Sequence, residues 1–139
     1  MNKMGETTVL NGLQVFLVED EPDIRVLFTF IFEMAGAKVI AAESITQALK
    51  LLEDHKPDIL ISDFQLPDGD GCSLIKELRK REAQSSKGIL AVALTGMTGE
   101  TDRVKMLEAG FQKYASKPID PNALIELVAN LAYKDEELR

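Results

Sequence analysis

Five short aliphatic runs recur along the chain, each followed by a stretch of helical periodicity, and this alternation constrains the fold more than any other feature. Gln14 to Val18 (QVFLV) is apolar and partly β-branched and stops at Glu19, Asp20, Glu21 and Pro22. It reads as a buried strand ending in acids. Pro22 suits the first turn of a helix, in which Ile24, Leu27, Phe28, Ile31 and Phe32 repeat at helical spacing until Gly36. A second strand, Lys38 to Ala42, precedes a helix from Ser44 with Ala48, Leu49, Leu51 and Leu52 periodic, broken by Lys56-Pro57. The third unit is strand Ile59 to Ser62, a loop with Pro67, Gly69 and Gly71, and helix Ser73 to Arg81. After a polar loop, Glu82 to Gly88, come strand Ile89 to Leu94 and a helix from about Glu100 to Ala109. Strand Lys113 to Ser116 follows, and Asp120 as N-cap with Pro121 at N1 opens a last helix ending near Leu131.

Near-continuous aliphatic strands such as ILIS and ILAVAL suit burial on both faces, as in a parallel sheet. The expected fold is α/β: a doubly wound five-stranded parallel sheet covered by helices. A chain of 139 residues suits one domain. It is expected over 13–131, between a polar leader, 1–12, and a polar tail, 132–139, too short for an output domain.

Charge and patterning exclude several functions. With 16 Lys+Arg against 23 Asp+Glu the formal charge is −7, which disfavours direct contact with a nucleic-acid backbone. No apolar run approaches the roughly 20 residues that span a bilayer. Met1 to Thr8 lacks the apolar core of a secretory signal, so a cytoplasmic location is expected. Cys72 is the single cysteine, which excludes an internal disulfide and a multi-cysteine metal site. It reads as a small, semi-buried residue at the head of a helix.

In an open doubly wound sheet, ligands bind beyond the carboxyl ends of the strands. Glu19 and Asp20 follow strand one, Asp63 strand three, Thr95 strand four and Lys117 strand five. Three carboxylates on one edge repel by about 1 kcal/mol per pair at about 4 Å in water, and by about 4 at an effective dielectric of 20. Such a cluster needs a cation, and hard oxygen donors favour Mg2+ or Mn2+. A facing lysine and a threonine hydroxyl complete a site for a phosphoryl group, for which a carboxylate can be the nucleophile. Singly, each residue has an ordinary explanation, as a helix-end charge, a loop cap or a turn. Their joint order carries the weight.

At VFLVEDEPDIR, ILISDFQLPDGDG, AVALTG and KYASKPID the sequence resembles the receiver domain of two-component response regulators, a CheY-like, flavodoxin-like (βα)5 fold with strand order 2-1-3-4-5. The resemblance implies that Asp63 is the phosphoacceptor, and that Mg2+ is held by Glu19, Asp20, Asp63 and the backbone carbonyl of Gln65. It implies that Thr95 contacts the phosphoryl group, that Lys117 pairs with it, that the Lys117-Pro118 bond is cis, and that Tyr114 acts with Thr95 as a switch. Phosphoryl groups would come from a histidine kinase or a histidine phosphotransfer domain. The output would be a protein partner meeting the face of helix 4, strand 5 and helix 5, with a homodimer as a further possibility. Many receivers have Asp where this chain has Glu19. Gly96 leaves the approach to Asp63 open and Met97 shields it, so a phosphoryl lifetime between the extremes is expected.

Glu21 reads as a solvated acid, Asp68 and Asp70 as turn residues, and His55, in a polar helix end, not as a phosphodonor. LEAGFQKYASKPIDPNALIELV is similar to receivers at the end of hybrid histidine kinases, so the chain reads as a stand-alone regulator or a domain of a longer protein. A phosphohydrolase using Asp63 would need a dedicated acid and a cap. A flavin carrier would place its phosphate loop after strand one, whereas TGMTG follows strand four. A receiver-shaped module independent of phosphorylation would have no use for the acids and Lys117.

Overall fold

A computed structural model of the chain describes residues 9–82, 88–96 and 99–137. Its elements are β1 (Gln14–Val18), α1 (Pro22–Met34), β2 (Lys38–Ala42), α2 (Ile45–Leu51), β3 (Ile59–Asp63), α3 (Gly71–Glu82), β4 (Leu90–Thr95), α4 (Glu100–Ala109), β5 (Lys113–Ser116) and α5 (Pro121–Glu137). The five strands form one parallel sheet in the order β2-β1-β3-β4-β5, the 2-1-3-4-5 arrangement expected. Register brings the strand ends level: Val18 lies opposite Ala42 and Ser62, Asp63 opposite Leu94, and Thr95 opposite Ser116.

Side chains alternate across a strand, so each run of aliphatics feeds two cores. Phe16, Val18, Leu60, Ala91 and Ala93 face α2, α3 and α4 through Ala48, Leu74, Ile75 and Met106. Val15, Leu17, Ile59, Ile61, Val92 and Leu94 face α1 and α5 through Phe28, Phe32, Leu124 and Val128. Phe32 is 1% exposed, and truncating such a ring to alanine costs about 3–5 kcal/mol.

Four expectations change. Leu27, placed by periodicity on the buried stripe, is exposed, as are Val26, Phe30 and Met34. Helix α1 is apolar on two arcs, and spacing alone does not say which arc packs. Helix α3 starts at Gly71 rather than Ser73 because Asp70 Oδ1 accepts the N–H groups of Cys72 at 3.0 Å and Ser73 at 3.2 Å. Asp70 thus caps a helix as well as ending a turn. Helix α5 continues past Leu131 to Glu137, with Leu131, Ala132 and Tyr133 resting against the core. Leu10, assigned to the leader, is fully buried and its N–H donates to Ala35 O at 2.8 Å. Between β3 and α3 the loop folds into a small antiparallel ribbon, Gln65–Leu66 against Gly69–Asp70. Among the described residues no helix is long and apolar enough to cross a membrane.

Candidate metal centre at the carboxyl edge of the sheet

Strand β1 delivers Glu19 to the carboxyl edge, where its N–H donates to Ala42 O at 3.0 Å and its side chain turns inward to full burial. Oε2 accepts the Glu21 N–H at 3.0 Å, while Oε1 is buried without a hydrogen-bond partner. Burial pushes the Glu19 carboxyl above its ordinary range, and the charges of Asp63 and Asp20 push the same way against the Glu21 N–H and Lys117. The Arg25 guanidinium donates to the Glu19 carbonyl at 2.8 Å, fixing the turn from β1 into α1.

Asp63 is the last residue of β3 and 5% exposed. Its Oδ1 lies 2.9 Å from Lys117 Nζ and accepts the Gln65 N–H at 3.4 Å. The chain doubles back closely here: Phe64 N–H donates to Leu94 O and Gly71 N–H to Phe64 O. A Cβ at position 71 would stand 3.3 Å from both Asp63 O and Phe64 Cα, so glycine lets α3 begin against the site. Thr95 ends β4 and is buried, and its carbonyl accepts the Lys117 N–H at 2.8 Å. The Lys117-Pro118 bond is cis, as the resemblance implied.

Oxygens of Glu19, Asp20 and Asp63 lie within 4.8 Å of one another. With Thr95, Gly96 and Lys117, Asp20 and Asp63 line an open cleft of about 340 Å³. A buried carboxylate oxygen without a donor, amid three acids and one ammonium, fits a divalent cation, and all-oxygen donors select Mg2+ or Mn2+. Asp20, Asp63, Thr95 and Lys117 are thus brought to one cleft that Gln65 also lines, with Glu19 buried beside it.

Tyr114 lies outside the cleft. It pairs with Ala93, two residues before Thr95, so Tyr114 and Thr95 share a sheet face. Its half-buried ring packs on the core beneath α2 to α4, and the Arg103 guanidinium stands 5.1 Å from its centroid. Met97 lies outside the described residues. His55 lines a small hollow with Leu52, Leu78 and Ile89, away from the acids. Cys72 is buried and structural, its thiol pushed up by burial and then by Asp70. Sequence reasoning missed Asp68, which reaches the N-terminus of α2: no local pattern marks a cap whose helix starts 23 residues earlier in the chain.

Residues 15–129 match the family model described as response regulator receiver domain, and the chain belongs to that family. It is 41% identical over 119 residues to an "Uncharacterized 14.6 kDa protein in sodA1 3'region" of Leptolyngbya boryana, spanning 86% of this chain and 89% of that one. It is 38% identical over 112 residues to the phosphate regulon transcriptional regulatory protein PhoB of Escherichia coli, spanning 81% of this chain but only 48% of PhoB. The chain thus spans about half the length of that relative. The solved receiver domain of the Francisella response regulator 1452 superposes with a TM-score of 0.79 at 26% identity, covering 90% of this chain and 99% of that one. The chain is a CheY-like receiver domain of two-component signalling, a kind of domain described as catalysing only its own phosphorylation and dephosphorylation, and the Glu19, Asp20 and Asp63 cluster matches the Mg2+ site of such domains.

Proposed function

We propose that Asp63 accepts a phosphoryl group from a histidine kinase or histidine phosphotransfer domain, and that the resulting charge switches a partner-binding face. The observation that carries this reading is the Asp63 carboxylate, held 2.9 Å from Lys117 Nζ at the mouth of a cleft that exposes it to a donor. A carboxylate oxygen forms the new P–O bond as the P–N bond to the donor imidazole breaks, and the imidazole takes a proton from solvent. Glu19, Asp20, Asp63 and the Gln65 carbonyl would hold Mg2+, which neutralises charge on the phosphoryl oxygens when bound. Lys117 pairs with one of those oxygens and the Thr95 hydroxyl donates to another.

As Thr95 turns toward the site it vacates space on the face it shares with Tyr114, and the ring moves in. The face of α4, β5 and α5 then changes shape for a downstream protein. Moving such an equilibrium from 1:99 to 99:1 takes about 5.5 kcal/mol, within reach of a few charge-assisted hydrogen bonds. A Cβ at Gly96 would meet nothing within 4 Å, which supports an open approach, and with Met97 as the shield the phosphoryl lifetime is taken to fall between the extremes. The domain is taken to reach from Leu10 to the end of α5, beyond the 13–131 expected from sequence, and to work in the cytoplasm.

Incubation with acetyl phosphate and Mg2+, read by intact mass, tests the reading. The wild type gains one phosphoryl unit and Asp63→Asn gains none. Labelling of both overturns Asp63 as the acceptor, and labelling of neither favours an interaction module that works without phosphate.

A further inference from the structure

The loop between β3 and α3 carries Gln65 and passes over the N-terminus of α2, and there Asp68 uses both carboxylate oxygens. Oδ1 accepts the Ile45 N–H at 2.9 Å, and Oδ2 accepts the Thr46 N–H at 2.9 Å and the Thr46 hydroxyl at 2.7 Å. The helix has a cap of its own in Ser44, whose Oγ accepts from Gln47 N–H at 3.1 Å. The first two N–H groups of α2 are therefore satisfied from a loop more than 20 residues away. Beside Asp68, Gly69 adopts a φ of +151°, and a Cβ there would lie 2.9 Å from Ile45 Cδ1. The φ of Gly69 strains any side chain there, and the tip of Ile45 would have to move aside for one. The Asp68 carboxyl is held below its usual range by the Ile45 and Thr46 hydrogen bonds.

We propose that Asp68 is a positioning residue for the divalent-cation site, acting through the loop it straps to α2. The inference rests on the phosphoacceptor reading, which gives the Gln65 carbonyl to the cation. Gln65 and Leu66 pair with Gly69 and Asp70, so the ribbon moves as one piece. Its base is fixed by β3 and by the Asp70 cap on α3, and its tip is fixed by Asp68. A side-chain ligand can re-aim by rotating, whereas a main-chain carbonyl goes where its backbone goes. Mg2+ demands near-octahedral geometry at 2.0–2.1 Å, so a ribbon released at its tip binds it less well.

Calorimetric Mg2+ titration of the full chain, with thermal unfolding of the ion-free protein beside it, tests this. Asp68→Ala weakens Mg2+ binding about three- to tenfold, less than the 10- to 100-fold typical of groups that bond a ligand directly. Asp68→Asn, which keeps one acceptor, falls between Asp68→Ala and wild type, and Thr46→Ser binds like wild type. Ser44→Ala removes the other cap of the same helix, so it lowers Tm without changing Mg2+ affinity. Equal weakening in Ser44→Ala overturns the strap, because fraying of α2 would then suffice. Unchanged affinity in Asp68→Ala overturns it too. Should Asp68→Ala fail to fold, the Asp68→Asn titration decides alone, and wild-type affinity there overturns the proposal. A wild type that binds no Mg2+ sinks the phosphoacceptor reading first, and the strap with it.

Discussion

Asp63 Oδ1 and Lys117 Nζ lie 2.9 Å apart although they belong to the ends of β3 and β5, with β4 between them. Lys117 reaches across Thr95, to whose carbonyl its own N–H is bonded. One ammonium against three carboxylates is a partial counter-ion, and it competes with a cation for the same acids. Lys117→Met is therefore expected to bind Mg2+ more tightly, by about fivefold for a unit charge worth about 1 kcal/mol at 4 Å in water. It should nonetheless accept phosphoryl groups from acetyl phosphate far more slowly, because the charge that pairs with the transferring group is gone. Calorimetry and intact mass on one variant separate the two effects.

Glu19 carries the buried oxygen without a donor, so its ionised form costs stability in the ion-free protein. Its carboxyl is raised above the ordinary value by burial. A raised folded value means this cost is absent below the unfolded pKa and grows as pH rises through the folded one. At pH 7 Glu19→Gln should raise the Tm of the ion-free protein by a few degrees, as about 1 kcal/mol does for a domain of this size. Mg2+ should then stabilise the variant much less than the wild type. Thermal unfolding with and without Mg2+ checks both signs.

Asp68 gives a pH dependence of opposite sign. Its folded pKa is lowered by the Ile45 and Thr46 hydrogen bonds, so its contribution is present above the unfolded value of about 3.9 and fades as pH falls through the folded one. The Tm gap between wild type and Asp68→Ala should be steady near neutrality and narrow below about pH 4. Because the carboxylate is exposed, solvent screening keeps the whole effect small. A gap that widens in acid would contradict the hydrogen-bond assignment.

Strands were legible because each is a contiguous apolar run with a polar stop, and β1, β2 and β5 begin and end where those runs do. The acids, Thr95 and Lys117 were legible for a related reason: a parallel sheet brings every strand's next residue to one edge. What escaped is non-local. Asp68 and α2 meet only because the ribbon folds over, and nothing near position 45 announces it. Arg79 carries no signal in the sequence, yet it donates from Nε and Nη2 to Gly110 O and from Nη1 to Ile89 O, tying α3 to the segments that lead into β5 and β4. The two apolar arcs of α1 were equally hidden, since periodicity reports amphipathicity and α1 is apolar on both sides.

Tyr114 shares a sheet face with Thr95 and meets the α4 side of the molecule through Arg103. Arg103 stands over its ring at 5.1 Å and lies 3.5 Å from Glu100, a cation–π contact worth about 0.5–1 kcal/mol at an exposed site. That contact favours the ring position seen here. Arg103→Ala should shift the ring toward its inward position about two- to fivefold, and Thr95→Ala should leave the ring unresponsive to phosphorylation. The chain has two tyrosines and no tryptophan, so fluorotyrosine resonances, assigned with Tyr133→Phe, report the ring directly. A Tyr114 signal that moves on phosphorylation in Thr95→Ala would break the proposed coupling.

On the proposed function, a histidine phosphodonor brings an imidazole to Asp63 and so docks beside the cleft. The start of α1 lines that cleft through Glu21 and Ile24, and further along the helix Val26, Phe30 and Met34 form a row at 67%, 60% and 53% exposure. Leu27 widens the row, and the exposed acids Asp23 and Glu33 flank it at helical spacing. A buried aromatic at the centre of such a contact commonly contributes 2 kcal/mol or more, about thirtyfold in affinity. Phe30→Ala should slow phosphotransfer from a histidine phosphotransfer domain by about tenfold or more, while labelling by acetyl phosphate, which needs no docking, stays at the wild-type rate. Its Tm should stay close to wild type, because Phe30 contributes little to the core. If both donors slow equally, the row does not dock the donor. If sedimentation instead converts from dimer to monomer in Phe30→Ala, the row joins two copies of the chain.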